Sequence, residues 1–350
     1  MDNLNSRKTP PELHLFSSIP ERLSTVPVKE LGSVLPGPSL IEIPGRIPPP
    51  LFISVLLHGN ETTGFLAIQE IIRKFDLLKK RSPREILLFV GNINAAMLGV
   101  RRQTDEPDYN RIWNNGNQQP EHLLAEEVLR QVSRRKPFAA VDIHNNTGKN
   151  PHYACINRTG DAFVNLARRF SKTIVYFTEP HEVISMALSR HCPSVTLECG
   201  FSGDSGGFCH ACNYLEQCLT LPQEELFSPP TNRHNDVFHT IGRITVPYRS
   251  QLGFGSCPGQ VDLCFRDDLE KLNFTTVPAG TKLGESAGNI NNLKVTDNKD
   301  RDVTTEYFSF DDNAITTRKT MTPSMFTKNE TIIHQDCFGY IMEPYPLENQ

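Results

Sequence analysis

The segment Leu51–Gly64, LFISVLLHGNETTG, constrains the fold more than any other stretch of the chain. Leu51 to Leu57 are almost all apolar and rich in branched side chains. A short apolar run bounded by Gly and Asn reads as a buried strand. His58, Gly59, Asn60 and Glu61 follow at once, and Gly64 opens an amphipathic run. A buried strand that ends in His-x-x-Glu and feeds a helix sets two metal-competent side chains at the carboxyl edge of a sheet. Open α/β sheets bind their ligands at that edge.

The rest of the chain extends this unit. Phe65, Ile68, Ile71, Ile72, Phe75 and Leu78 fall at helical spacing and predict a helix over 64–80. Ser82-Pro83 breaks it, and Glu85–Val90 reads as a second buried strand, completing a βαβ unit. Ahead of the unit, 39–44 predicts a short strand and Pro48, Pro49 and Pro50 a stiff connection. Behind it, helices are expected over 121–136, 161–171, 181–190 and 208–221, and strands over 139–143, 173–177 and 194–197. His144 and Glu198 stand at two of those strand ends. The polar segment 91–117 has no clear period, and long segments of this kind in compact domains are often functional. After about residue 225 the helical patterns give way to short β-like runs, at 243–247, 261–265, 306–310, 314–317, 331–334 and 338–342. The stretch 284–303 reads as a polar loop. An α/β domain over 1–225 and a smaller, mostly β domain over 226–350 are therefore expected.

Composition narrows the function. The chain is 38% hydrophobic and 22% charged, enough for a sizeable core. A net charge of -4 offers no basic face of the kind that binds nucleic acid. No apolar run reaches the roughly 18 residues of a membrane-spanning helix. The first residues lack a basic then apolar export signal. Nine cysteines cannot all pair, so reduced thiols and a cytoplasmic setting are expected. A glycan on the formal sequon at Asn60 would sit inside the candidate site, which points the same way. The expected partner is a small-molecule substrate, with neither nucleic acid nor membrane; the oligomeric state is left open.

His58, Glu61 and His144 supply a His2Glu set, one of the recognised three-ligand sets of catalytic zinc sites. Glu198, at a neighbouring strand end, is placed to act as general base and then general acid on a metal-bound water. Asp142 shares the face of His144 if that strand is regular, and would then support it. Cys209-His210-x-Cys212 lacks a second pair and reads as buried helix rather than a metal site.

Four segments, HGNETTG, NINAAMLGVRRQTDEPDYNRIW, DIHNNTG and SVTLECG, occur in the order seen in the zinc carboxypeptidase superfamily. They most resemble its aspartoacylase and succinylglutamate desuccinylase branch, over about residues 50–205. The resemblance implies a carboxypeptidase-like mixed sheet flanked by helices, with a smaller, mostly β C-terminal domain. It implies one Zn2+ per subunit on His58, Glu61 and His144, with Glu198 catalytic. It further implies an arginine that polarises the scissile carbonyl, and Asn110-Arg111 gripping a substrate carboxylate. Spacing from Asn92 selects Arg101 for the first role and spacing from Asn110 leaves Arg102 as the alternate. Asn145 matches a position near the substrate. The implied reaction is deacylation of an N-acyl amino acid; removal of a C-terminal residue from a small peptide is the alternative.

Overall fold

The computed structural model describes residues 11–114, 116–229, 236–257, 261–287 and 293–346. Its main strands are β1 (His14–Phe16), β2 (Ser39–Ile43), β3 (Gly45–Val55), β4 (Ser82–Val90), β5 (Ala139–His144), β6 (Tyr153–Ile156), β7 (Thr173–Tyr176), β8 (Ser194–Glu198) and β9 (Asp236–Thr245). Its main helices are α1 (Thr63–Lys74), α2 (Ile93–Leu98), α3 (Pro120–Arg135), α4 (Asp161–Arg168), α5 (Ile184–Leu188) and α6 (Ser205–Thr220). The strands form a 12-stranded mixed sheet in the order β1-β2-β4-β3-β5-β8-β6-β7-β9, continued by Gly339–Pro344 and Thr322–Ser324. Lys294–Asp297 also pairs with β9, so four strands of this sheet come from beyond residue 225. A second sheet of five short strands, from Leu252–Phe254 to Ala314–Thr317, has its own apolar core. The fold is thus α/β, a large mixed sheet flanked by helices with a second small sheet, as expected.

The centre of the large sheet, β4-β3-β5-β8, is parallel. Both of its faces are covered, which is why these strands read as apolar runs rather than alternating ones. Alternation still sorts the side chains. Leu51, Ile53 and Val55 of β3, with Val141 and Ile143 of β5, enter the core shared with α1, α4 and α6. Phe52, Ala140 and, from β4, Leu87 and Phe89 enter the opposite core, under α3 and α5. Ser54, Asp142, His144, Thr196 and Glu198 lie on that second face, at the carboxyl end of the strands. The next strands continue the face with Tyr153, Cys155 and Val175.

Several local expectations are corrected. β3 begins at Gly45 and runs through the three prolines, with a register shift between Ile47 and Leu51, so Pro48–Pro50 are strand rather than connection. α1 ends at Lys74, and Ser82-Pro83 opens β4 instead of stopping the helix. β6 was not expected, because four residues carry too short a pattern. Residues 331–334 belong to a helix, Glu330–Gln335, whose cap is Asn329: its side chain accepts from Ile332 N–H at 3.2 Å. Asn before a helix is a start signal, and it outweighs the β-like Thr-Ile-Ile. The stretch 284–303 holds the end of one strand and all of Lys294–Asp297; its residues 288–292 lie outside the described ones. Cys257 and Cys264 form a disulfide, against the expectation of reduced thiols, while the other seven cysteines are free. Parallel pairing of Gly253 with Cys264 brings the loop after Phe254 back over its neighbour, leaving the two Cα atoms 6.2 Å apart. No helix among the described residues is long and apolar enough to cross a membrane.

α1 sits close to the sheet at its first turn. A Cβ on Gly64 would stand 2.8 Å from Ile143 Cβ and 2.9 Å from Val55 Cγ1. Gly64→Ala gains about 1 kcal/mol of helix propensity and loses about 1–3 kcal/mol to overpacking. The net expectation is a lower denaturation midpoint in urea; an unchanged or higher midpoint would refute the close approach.

Candidate active site

Strand register assembles the centre. β3 and β5 pair Ser54 with Asp142, and β5 and β8 pair His144 with Glu198. On the far side of β8, Glu198 faces Tyr153 of β6. β3 stops at Val55, two residues short of the apolar run, because Leu56 takes φ 57° and turns the chain. A buried non-glycine residue in this region is held there by its surroundings, and such residues cluster at functional sites. The turn then closes on itself: Glu61 N–H donates to the His58 carbonyl and Gly59 N–H to the Arg101 carbonyl, both at 3.1 Å.

His58, Glu61 and His144 are buried together, with ligand atoms all within 4.8 Å of one another. Glu61 Oε1 lies 2.8 Å from His58 Nδ1, and Oε2 lies 2.7 Å from His144 Nδ1. The outer nitrogens also meet carboxylates: His58 Nε2 is 2.9 Å from Asp108 Oδ1, and His144 Nε2 is 2.8 Å from Asp142 Oδ2. Ser54 Oγ in turn donates to Asp142 Oδ1 at 2.5 Å. Burial pushes both imidazoles down, and Arg101 adds to this at His58; the flanking carboxylates outweigh these effects and raise His58 and, more strongly, His144. Burial would lift Glu61, yet the two imidazoles hold it well below the carboxylate range.

This donor set fits a divalent cation. A carboxylate on each Nε2 makes that nitrogen the N–H and leaves the Nδ1 lone pair for a metal, the usual support of a metal-bound histidine. A divalent cation would replace two Nδ1 protons and carry the same charge.

Glu198 differs from the other acids. Its Oε2 is shut off from solvent and has no hydrogen-bond partner. Burial, reinforced by Glu61 and Asp142 and opposed by His144, pushes its carboxyl up to about 7. Groups so perturbed in a cleft are candidates for proton transfer.

The loop after α2 brings in the arginines. Arg101 is 9% exposed and donates from Nε and Nη2 to Asp108 Oδ2 at 3.0 and 2.9 Å. Its Nη1 lies 3.6 Å from Glu61 Oε1, turned toward the donor set. Arg102 does not line the cavity; its Nη1 donates to the Glu106 carbonyl. Arg111 lines the cavity and donates from Nη1 to the Asn110 carbonyl. Asn110 Oδ1 accepts from Ile184 N–H at 3.1 Å, and its Nδ2 stands 3.4 Å from His144 Nε2. The Asn145 side chain is held by Thr63 and Gly200, and its N–H donates to Glu61 Oε2 at 3.1 Å. Asn145 thereby orients Glu61. His58, Glu61, His144, Asn145, Glu198, Arg101, Asn110 and Arg111 open onto one cavity, with about 780 Å³ of empty space counting the open solvent at its mouth.

Residues 49–206 match the family model for the succinylglutamate desuccinylase/aspartoacylase catalytic domain. Over this segment, a little under half of the chain, the sequence is similar to that family's catalytic domain. Among solved structures, it is similar to the succinylglutamate desuccinylase from Vibrio parahaemolyticus, with 14% identity, a TM-score of 0.58, and coverage of 88% of this chain and 86% of that one. It is also similar to the enzyme of that name from Chromobacterium violaceum, with 16% identity, a TM-score of 0.55, and coverage of 85% of each. Murine aminoacylase 3 is 12% identical, with a TM-score of 0.53 and coverage of 86% of this chain and 97% of that one. At these identities the likeness is one of fold. No curated protein matches the sequence. The family is hydrolytic and acts on small acyl amino acids.

Two groups, Asp108 beside the cavity and Asp336 lining it, are not marked by the sequence. Asp108 bridges His58 and Arg101; it stands in the DYNR segment already flagged, so proximity could have found it. Asp336 meets Arg101 and Arg111 from the C-terminal region, and no local pattern marks it. Cys209 is exposed and His210 stacks on Phe170, so that cluster joins no such centre.

Gly59, between the first two donors, has no room for a side chain: a Cβ would lie 2.2 Å from Ala95 C and from Ala96 N, both backbone atoms of α2. Backbone yields less than a side chain, so Gly59→Ala should reach or exceed the upper end of the about 1–3 kcal/mol overpacking range. Thermal unfolding should show a larger fall than for Gly64→Ala; an equal or smaller fall would refute this packing.

Proposed function

We propose that this chain is a zinc-dependent amidohydrolase that deacylates an N-acyl amino acid. The observation that carries the reading is a His2Glu donor set sharing one cavity with an unpartnered carboxylate, Glu198, and two arginines. The match of residues 49–206 to the desuccinylase/aspartoacylase model favours the deacylase over a carboxypeptidase.

A zinc ion held by His58 Nδ1, Glu61 and His144 Nδ1 would polarise the scissile carbonyl and acidify a water. The residues of the chain do the rest. Glu198 takes the proton of the attacking water and later returns it to the departing amine nitrogen. Arg101 turns its Nη1 edge to the side where the carbonyl oxygen gains charge, and Asp108 fixes that edge in place. Arg111, with Asn110 beside it, receives the substrate carboxylate and so sets the amide against the centre. Asn145, which lines the cavity beside the substrate, also holds Glu61, and Asp142 holds His144.

The test is a hydrolysis panel of N-acyl amino acids and C-terminal dipeptides, with chelation and zinc restoration. Deacylation lost to chelator and regained with zinc is expected. Activity that survives chelation would sink the metal reading, and cleavage of dipeptides alone would replace deacylase with carboxypeptidase.

Glu198 works as a base only when ionised. Its pKa of about 7 is drawn down by a bound cation, so kcat should fall as pH drops through a value at or below about 7. Glu198→Gln cannot take the proton: kcat should fall about 100- to 10,000-fold and the acid limb should vanish. A pH–rate profile of both proteins checks this, and a wild-type rate in the variant would end the mechanism.

Asp142→Ala removes the acceptor on His144 Nε2. Zinc affinity measured by competition with a chromophoric chelator should weaken about 10- to 100-fold. Unchanged affinity would remove Asp142 from its supporting role.

A further inference from the structure

Asp336 stands where a ligand would be expected. It follows the helix Glu330–Gln335, and its carboxylate enters the cavity between the two arginines. Oδ1 accepts from Arg111 Nη2 at 3.1 Å and Oδ2 from Arg101 Nη2 at 3.3 Å. Arg243, from β9, donates to the Asp336 carbonyl at 2.6 Å and lies 3.5 Å from Oδ1. The side chain is only 12% exposed. The protein therefore supplies its own carboxylate to the guanidinium pair.

The balance of charge decides what else fits. Arg101 faces Asp108, Asp336 and, at 3.6 Å, Glu61, while Arg111 pairs with Asp336. Arg243 meets Asp336 without lining the cavity. Among the described residues no further arginine and no lysine lines the cavity. Arg111 is thus the cation with room for one substrate carboxylate. The sheet face beyond Glu198 turns apolar, with Tyr153, Cys155 and Val175 joined by Phe177 and Met325. Glu179 at the same cavity adds a further negative charge. A second carboxylate on the substrate would meet this wall, where Thr240, Ser324 and Tyr340 offer hydroxyls but no positive charge, or a like charge.

We propose that Asp336 is a specificity residue that restricts the cavity to N-acyl amino acids with a single carboxylate and an otherwise uncharged body. Dicarboxylic N-acyl amino acids are disfavoured because Asp336 occupies part of both guanidinium groups, which leaves Arg111 room for one substrate carboxylate and none for a second. This rests on the reading of the cavity as the substrate site.

The test is calorimetric binding of N-acetyl-L-norleucine, N-acetyl-L-aspartate and N-acetyl-L-glutamate to zinc-loaded Glu198→Gln protein, so that affinity is read without turnover. The norleucine derivative should bind at least about 30-fold more tightly than either dicarboxylate. Adding Asp336→Asn frees the arginines, and the dicarboxylates should then gain at least about tenfold relative to norleucine. Dicarboxylates that bind as well as norleucine to the Glu198→Gln protein overturn the proposal, as does failure of norleucine to bind. So does an Asp336→Asn protein that folds with an unchanged ratio. If that variant does not fold, the ratio in the parent decides alone. The two readings fail separately. Norleucine-selective binding by a wild-type protein that hydrolyses none of the three ends the hydrolase reading and leaves this one standing. Preferred hydrolysis of the dicarboxylates does the reverse.

Discussion

The parallel register of β3, β5 and β8 places the working groups of the cavity. Pairing His144 with Glu198 sets a metal-competent imidazole beside a buried carboxylate oxygen that has no partner. Pairing Ser54 with Asp142 puts a hydroxyl on the acid that holds His144. A one-residue slip in either pairing would turn the affected groups to the opposite face, into the core under α1, α4 and α6. That core is built from Leu51, Ile53, Val55, Val141 and Ile143, which have no polar face to offer. The same alternation that buries these side chains is what delivers His144 and Glu198 to the cavity and sets Asp142 behind His144. Packing of the first core and placement of the chemistry are one constraint.

The price of the arrangement is a dense set of buried charges. Glu61, Asp108, Asp142 and Asp336 surround two imidazoles and two arginines, all largely withdrawn from water. Buried ion pairs are poor sources of stability, because desolvation consumes most of what Coulomb attraction returns. Their geometry here points to positioning instead. Each carboxylate joins two groups: Glu61 joins His58 and His144, Asp108 joins His58 and Arg101, and Asp336 joins Arg101 and Arg111. The centre is a chain of shared partners, so no member shifts without moving the next. Such groups are energetically coupled and do not act as independent contributors.

How far the site could be read from sequence depended on the reach of each signal. His58 and Glu61 were legible because strand, turn and helix follow one another within a few residues. His144 and Glu198 were legible as strand ends, and Asp142 followed from the two-residue repeat of a strand. The choice between Arg101 and Arg102 needed the path of the loop: the Arg101 carbonyl is tied to Gly59 N–H, which fixes its side chain toward the donors. The β-like Thr331-Ile332-Ile333 misled because three branched residues outweighed the Asn329 cap. Asp336 was beyond reach: it lies 235 residues from Arg101, and only the return of Gly339–Pro344 to β9 brings it in.

That return brings the C-terminal region to the cavity. Gly339–Pro344 pairs with β9, and β9 pairs with β7, so the segment bearing Asp336 is hydrogen-bonded into the sheet that carries the donor set. Asp336 stands between the helix Glu330–Gln335 and this strand, so both of its flanks are fixed. Arg243 and Tyr340 are directly paired across β9 and Gly339–Pro344, and Arg243 also holds the Asp336 carbonyl. The carboxylate is thus anchored from its own backbone as well as through its oxygens. Electrostatic selection needs that rigidity, because a charge free to swing away rejects nothing. The matched catalytic segment supplies the donor set, Glu198 and both cavity arginines; the later strands supply the acid that decides what those arginines have left to bind.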